Sequence, residues 1–303
     1  MTSRIRGAGG DLRLHAIYVV LDDYDLFLAS VRSIYDHVDG ITVLTNHDLD
    51  WRGRHRAPSA VPAAVLARDI DPDRKINLIV TAETNEARAR ARAMDFAAPR
   101  EKSRRVLQEH EGDRPLEPPD YFLVIDADEI YEGDVLERMK RYVAAGGAQI
   151  YRVAGVCYFK RWNFRITGYQ WGASFVRADT RLPYLRTRKV SLPRRALAKV
   201  PGMPERMRGT LRGFHDIPPE VGVYHHGAYV GPRSRIEAKV SSWGHANEVR
   251  LGWLEDVYDP WTVATRDFNP VYRGAFDAAV EVPLDELPAA ITAHAWPDDY
   301  LDR

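Results

Sequence analysis

The sequence predicts an α/β fold, with a mostly parallel central sheet flanked by helices. Two observations carry this. Short apolar runs of strand length alternate with helically spaced segments through the first half of the chain. One of those runs, Tyr121-Phe122-Leu123-Val124-Ile125, is apolar at every position, as a strand buried on both faces requires. The chain has 303 residues, enough for one sizeable core.

The elements follow in order. Residues 1–12 form a polar start. Residues 15–21 read as a buried strand, broken by Asp22-Asp23-Tyr24-Asp25. Leu28, Val31, Ile34 and Tyr35 then fall at helical spacing. Residues 41–45 form a second strand, closed by Asn46-His47-Asp48-Leu49-Asp50. Strand, helix, strand at this spacing returns the chain to a parallel sheet. A third strand covers residues 77–81. Within residues 85–94, Ala and Arg alternate from Ala87 to Ala93, which imitates strand periodicity. Ala is poor in strands and good in helices, so a helix is predicted, with Arg88 and Arg92 on one face. Residues 99–120 read as a helix extension and an exposed loop. The strand at 121–125 follows, then a helix from Gly133 to about Ala145 that Gly146-Gly147 stops. Residues 149–159 read as a strand leading into an aromatic loop with Trp162, Phe164, Tyr169 and Trp171. A late strand at 221–230 holds His225 and His226. Pro232 opens a helix that should run to about Val249. Residues 251–303 look like an irregular tail packed on the domain.

Composition bounds the function. The 43 basic residues balance the 43 acidic ones, which argues against coating nucleic acid through global charge. A single cysteine, Cys157, lies in an apolar run and cannot form an internal disulfide. No apolar run reaches membrane-spanning length, and the first one meets Asp22 and Asp23 too soon for a signal peptide. A cytoplasmic protein is expected.

The strongest chemical signal is Asp126-Ala127-Asp128-Glu129, directly after the buried run. A parallel strand delivers its carboxyl end to the ligand crevice of an α/β sheet. Two carboxylates there repel unless a cation joins them, and a hard divalent ion accepts oxygens from protein and phosphate alike. The competing reading is an Asp-rich surface turn. The second signal is His225-His226. Neighbours on a strand face opposite sides, so one of the two faces any site; it is either a metal ligand or a histidine satisfied within the core.

In order and setting these features resemble bacterial glycosyltransferase family 2 and its relatives. The residues concerned are 17–23, 45–50, 85–92, Leu123-Val124-Ile125-Asp126-Ala127-Asp128-Glu129, and His226-Gly227-Ala228-Tyr229-Val230 with Lys239 and His245 beyond. The resemblance covers roughly residues 14–130 and 221–250. It implies a GT-A-like (Rossmann-like) fold with a C-terminal acceptor-side region: a nucleotide-sugar-binding half at 14–135, an acceptor-side half at 136–250, and a packing tail. It further implies a hexosyl-type transfer from a nucleotide-diphosphate sugar, assisted by Mn²⁺ or Mg²⁺. Asp126, Asp128 and His226 would hold the metal. Asp22, Asp48, Arg88, Arg92 and Asp126 would hold the nucleotide donor.

The chain departs from that pattern in places. Asn46-His47-Asp48 stands where an acidic pair is common, and residues 99–120 widen the gap before the metal strand. No Glu-Asp pair marks a general base. Asp216 is the nearest candidate; its other reading is a loop residue before Pro218-Pro219. Inversion or retention is left open. From Arg177 to Arg212 eleven Arg and Lys residues face only Asp179 and Glu205. That stretch is either a solvated face or a dock for a phosphate-rich acceptor: nucleic acid, a lipid-linked glycan or a small molecule. Two other functions compete: a haloacid-dehalogenase-like phosphatase with Asp126 as nucleophile, and a non-catalytic nucleic-acid-binding module built on the basic stretch.

Overall fold

The computed structural model describes residues 12–21, 23–46, 48–56, 70–97, 118–180, 214–243 and 245–302. The chain enters through β1 (Leu14–Val20), α1 (Tyr24–Ile34), β2 (Gly40–Asn46), β3 (Ile76–Thr81) and α2 (Glu86–Ala97). It continues with β4 (Tyr121–Ile125), β5 (Glu129–Ile130), α3 (Gly133–Gly146), β6 (Ile150–Ile166) and β7 (Gln170–Arg177). The last elements are β8 (His215–Asp216), β9 (Val223–Val230), α4 (Arg233–Ser242) and β10 (Ala279–Glu281).

The strands join one mixed sheet in the order β3-β2-β1-β4-β7-β6-β9-β5, with β8 and β10 both pairing with β6. β3, β2, β1 and β4 run parallel. β7 is antiparallel to both β4 and β6, and β6 is parallel to β9. The sheet is thus led by parallel strands rather than parallel throughout.

Alternation along β1 explains its two-sided burial. Ala16, Tyr18 and Val20 pack with Phe27 and Val31 of α1 and Leu136 and Met139 of α3. Ile17 and Val19 face the other way, onto Ala89, Ala93 and Ala97 of α2. The i, i+4 alanine row is the packing stripe of α2, and small side chains let the helix lie close to the sheet. α3 ends where Gly147 adopts φ 61° and its N–H donates to Val143 O at 3.0 Å. A left-handed position there suits glycine.

Two expectations change. The aromatic segment after residue 159 is mostly strand, because β6 runs on to Ile166 and β7 starts at Gln170, leaving only Tyr169 of the four aromatics in the turn between them. Trp162 sits fully buried against Trp296, and residues 251–302, expected to pack on the domain, contribute core around it. Trp253, Trp261, Phe268 and Phe276 pack on Phe159 and Tyr229. The helix after Pro232 stops at Ser242. The expected helix extension and loop at 99–120, apart from residues 118–120, and the basic stretch from 181 onward lie outside the described residues. Among those described, no helix is long and apolar enough to cross a membrane.

Candidate active site

A cleft of about 1050 Å³ opens at the carboxyl ends of the parallel strands. The strand order reverses beside β1, between β2 and β4, and ligand crevices of α/β sheets form at such switch points. Val20, Leu21 and Asp23 enter the cleft from β1, and Asp126 to Asp128 from β4. Asp50, Trp51 and Arg54 come from the loop after β2, Glu86 and Arg90 from α2, His226 from β9, and Arg235, Lys239 and Ser242 from α4.

Arg90 reaches Asp126. Its guanidinium hydrogen-bonds Asp126 Oδ1 and, from Nη2 at 2.7 Å, Glu86 Oε1 one turn back on the helix. Burial disfavours the charge on Arg90, but Asp126 and Glu86 outweigh it and raise the pKa. Asp128 is buried, and Lys239 Nζ donates to its Oδ2. His226 Nε2 lies 3.5 Å from Asp128 Oδ1, and Arg235 Nη2 lies 3.8 Å from Oδ2. Burial alone would raise the Asp128 pKa; Lys239, His226 and Arg235 hold it well below the ordinary carboxylate range. Burial opposes charge on His226 too, and Asp128 outweighs it, so the imidazole is held protonated well above its usual range. Glu129 beside them is pushed up to about 7 by burial and by Asp126.

Arg235 and Lys239 sit one turn apart on α4 and so share the face that meets the cleft. Arg235 Nε donates to Asp23 Oδ1 at 2.6 Å, and its Nη1 donates to Val230 O at 2.7 Å. Its Nη2 is buried with no hydrogen-bond partner. Asp23 itself takes φ 67°, a left-handed position that Asp tolerates better than most side chains, ahead of α1. The β2 loop closes onto α4: Arg54 Nη2 donates to Ser241 O at 2.7 Å, and Arg52 Nη2 to Asn247 Oδ1 at 2.8 Å.

The sequence-predicted residues divide clearly. Asp126, Asp128 and His226 come together in the cleft. Asp22 lies outside the described residues. Asp48 is half exposed, 3.6 Å from His55, and Asp50 lines the cleft in its place. Arg88 is exposed, and Arg92 donates to Thr81 Oγ1 at 2.8 Å; the arginine in the cleft is Arg90 between them. The alanine row explains why: with Ala89 and Ala93 on the sheet, Arg90 takes the edge that overhangs β4. Asp216 is not among the described residues lining the cleft. Both its oxygens accept from Arg152, at 2.6 and 2.7 Å, a bidentate pair that leaves it badly placed as a base. Of the four aromatics, Trp162 is core, Tyr169 and Trp171 are exposed, and Phe164 packs on Trp261. The aromatic lining of the cleft is instead Tyr24, Trp51, Tyr229, Trp243, Tyr272 and Tyr300.

A divalent ion does not fit this donor set as it stands. Asp128 presents its oxygens to Lys239 and His226, and Asp126 presents Oδ1 to Arg90. Among the described residues, no three His, Cys, Asp or Glu side chains form a group that could hold a metal ion. An ion on Asp128 would also meet Lys239 and Arg235, at roughly 4 kcal/mol per pair of unit charges 4 Å apart at an effective dielectric of 20.

No family model matches the chain, and no curated protein matches it. Among solved structures it is similar to S. aureus TarS 1–349, at 10% identity and a TM-score of 0.34, covering 75% of this chain and 63% of that one. It is likewise similar to S. aureus TarS 1–349 in complex with UDP-GlcNAc, at 10% identity and a TM-score of 0.35, covering 75% and 64%. The chain therefore spans a little under two thirds of those structures' length.

Proposed function

We propose that this protein is a glycosyltransferase that takes its sugar from a nucleotide-diphosphate donor. The observation that carries the reading is the convergence of Arg90, Arg235 and Lys239 on Asp126 and Asp128 at the switch-point cleft. Three side-chain cations, each largely withdrawn from water, form a strong site for a diphosphate, because their charge is little screened there. The carboxylates hold those cations at the cleft before the donor arrives and offer acceptors to ribose and sugar hydroxyls. Trp51, beside Asp50 on the β2 loop, supplies a face for the base.

In the reaction, the bond between the anomeric carbon and the diphosphate oxygen breaks, and its electron pair leaves with the diphosphate. The acceptor hydroxyl oxygen bonds to the anomeric carbon and its proton passes to solvent. The protein's part is to bind and orient the donor and to meet the charge that develops on the leaving diphosphate. A hexosyl donor is proposed, with an acceptor alcohol approaching from the side of Gln170, Asn269 and Tyr272. The metal expected from Asp126, Asp128 and His226 has no part in this reading.

Calorimetric titration with UDP, GDP, dTDP and UDP-GlcNAc tests it. One nucleotide should bind with a dissociation constant of ~1–1000 µM, the usual range for such substrates. Failure of every nucleotide to bind would sink the proposal and leave the non-catalytic reading.

A further inference from the structure

We infer that Lys239, with Arg235, takes the place of the divalent cation that an Asp-x-Asp at the end of a buried strand ordinarily implies, so that the site binds its diphosphate without metal. This rests on the donor-site reading above and specifies how that site is charged.

Two independent observations point the same way. Lys239 is four-fifths buried, and its ammonium already bonds the Asp128 oxygen that a metal would need. Ammonium and metal compete for one position, and the ammonium is covalently tethered to α4. Arg235 gives the second. Its side chain is nine-tenths buried and lines the cleft, yet its Nη2 has no hydrogen-bond partner. A buried, unsatisfied cationic donor beside Asp128 calls for an anionic oxygen. A phosphate oxygen seated between Nη2 of Arg235 and Nζ of Lys239 meets that demand. A divalent ion there worsens it, because it adds positive charge where two cations already stand.

The helix geometry supports a dedicated role. Pro232 starts α4, and Arg235, Lys239 and Ser242 then follow at i, i+4 and i+7 on the cleft face. Arg235 is pinned by Asp23 and three backbone carbonyls, those of Gly227, Ala228 and Val230. It is therefore a fixed donor. Lys239, by contrast, has an unbranched stem whose end can turn from Asp128 toward an arriving phosphate. When the sugar leaves, the electron pair of the broken bond stays on the diphosphate, and Lys239 and Arg235 meet that charge.

The test is titration of the full chain with UDP, GDP and dTDP, in EDTA and in Mn²⁺, on the wild type, Lys239→Met and Lys239→Arg. The wild type should bind its nucleotide within about twofold in the two conditions. Lys239→Met should lose at least ~10-fold in EDTA and regain part of it in Mn²⁺, because Asp128 is then free to accept the ion. Lys239→Arg should keep binding in EDTA. Wild-type binding that needs Mn²⁺ overturns the inference while sparing the donor-site reading. Wild-type affinity of Lys239→Met in EDTA overturns it too. No binding in either condition overturns both. Were Lys239→Met to melt far below the wild type, the wild-type comparison of EDTA with Mn²⁺ decides alone.

Discussion

Arg90 carries a contrast that separates geometry from composition. Arg88, Arg90 and Arg92 are equivalent on paper: same side chain, same helix, two residues apart. Only Arg90 lines the cleft and bonds Asp126. Arg90→Ala should weaken nucleotide binding ~10-fold or more, as loss of a charge-assisted hydrogen bond of about 1.5–3 kcal/mol implies. Arg88→Ala should leave it within about twofold, since its side chain points to water. Calorimetry on the two variants checks this, and equal losses would count against the site. The sequence marks Asp126 and Asp128, because five consecutive apolar residues announce a buried strand and a carboxylate pair at its end has few structural uses. It does not pick Arg90, because the choice depends on which helix face the alanines commit to the sheet. Nor does it reveal that Lys239 and Asp128, 111 positions apart, share a hydrogen bond.

At the scale of elements, β9 shows what a pleat can and cannot specify. His225 and His226 face opposite sides, as alternation requires. His225 turns into the core, where its Nδ1 meets Tyr158 OH at 3.0 Å, and burial lowers its pKa to about 4. His226 faces Asp128. What alternation omits is β5, two residues that pair antiparallel with β9 and place Glu129 opposite His226. So short a strand leaves no period to read. Gly227 locks this junction. Its N–H donates to Asp128 O at 2.7 Å, and a Cβ there would stand 2.6 Å from Cη2 of the fully buried Trp162. Neither partner can retreat without disturbing the core. Gly227→Ala should therefore destabilise the fold by about 1–3 kcal/mol, read as a lower urea midpoint at unchanged slope. A midpoint like the wild type's would show that Trp162 is looser than its burial implies.

The whole molecule divides along the same line. The parallel half was legible because each strand and helix there is local, with one period and clear breakers. The second half was not, because its order comes from distant partners: Trp162 N donates to Tyr300 O, and Val282 N to Asn163 O. Aromatics scattered over residues 253–300 carry no period that tells which strands they cover; in three dimensions they join the core. That core seats β9 and α4, and with them His226, Arg235 and Lys239, against the carboxyl ends of β1 and β4. On the proposed function, this junction receives a nucleotide diphosphate. A crystal structure grown with UDP, GDP or dTDP would locate it. The diphosphate should lie within hydrogen-bonding distance, roughly 2.7–3.2 Å, of Arg90, Arg235 or Lys239, with the base toward Trp51. A nucleotide bound elsewhere on the molecule, with the Lys239–Asp128 cluster untouched, would contradict it.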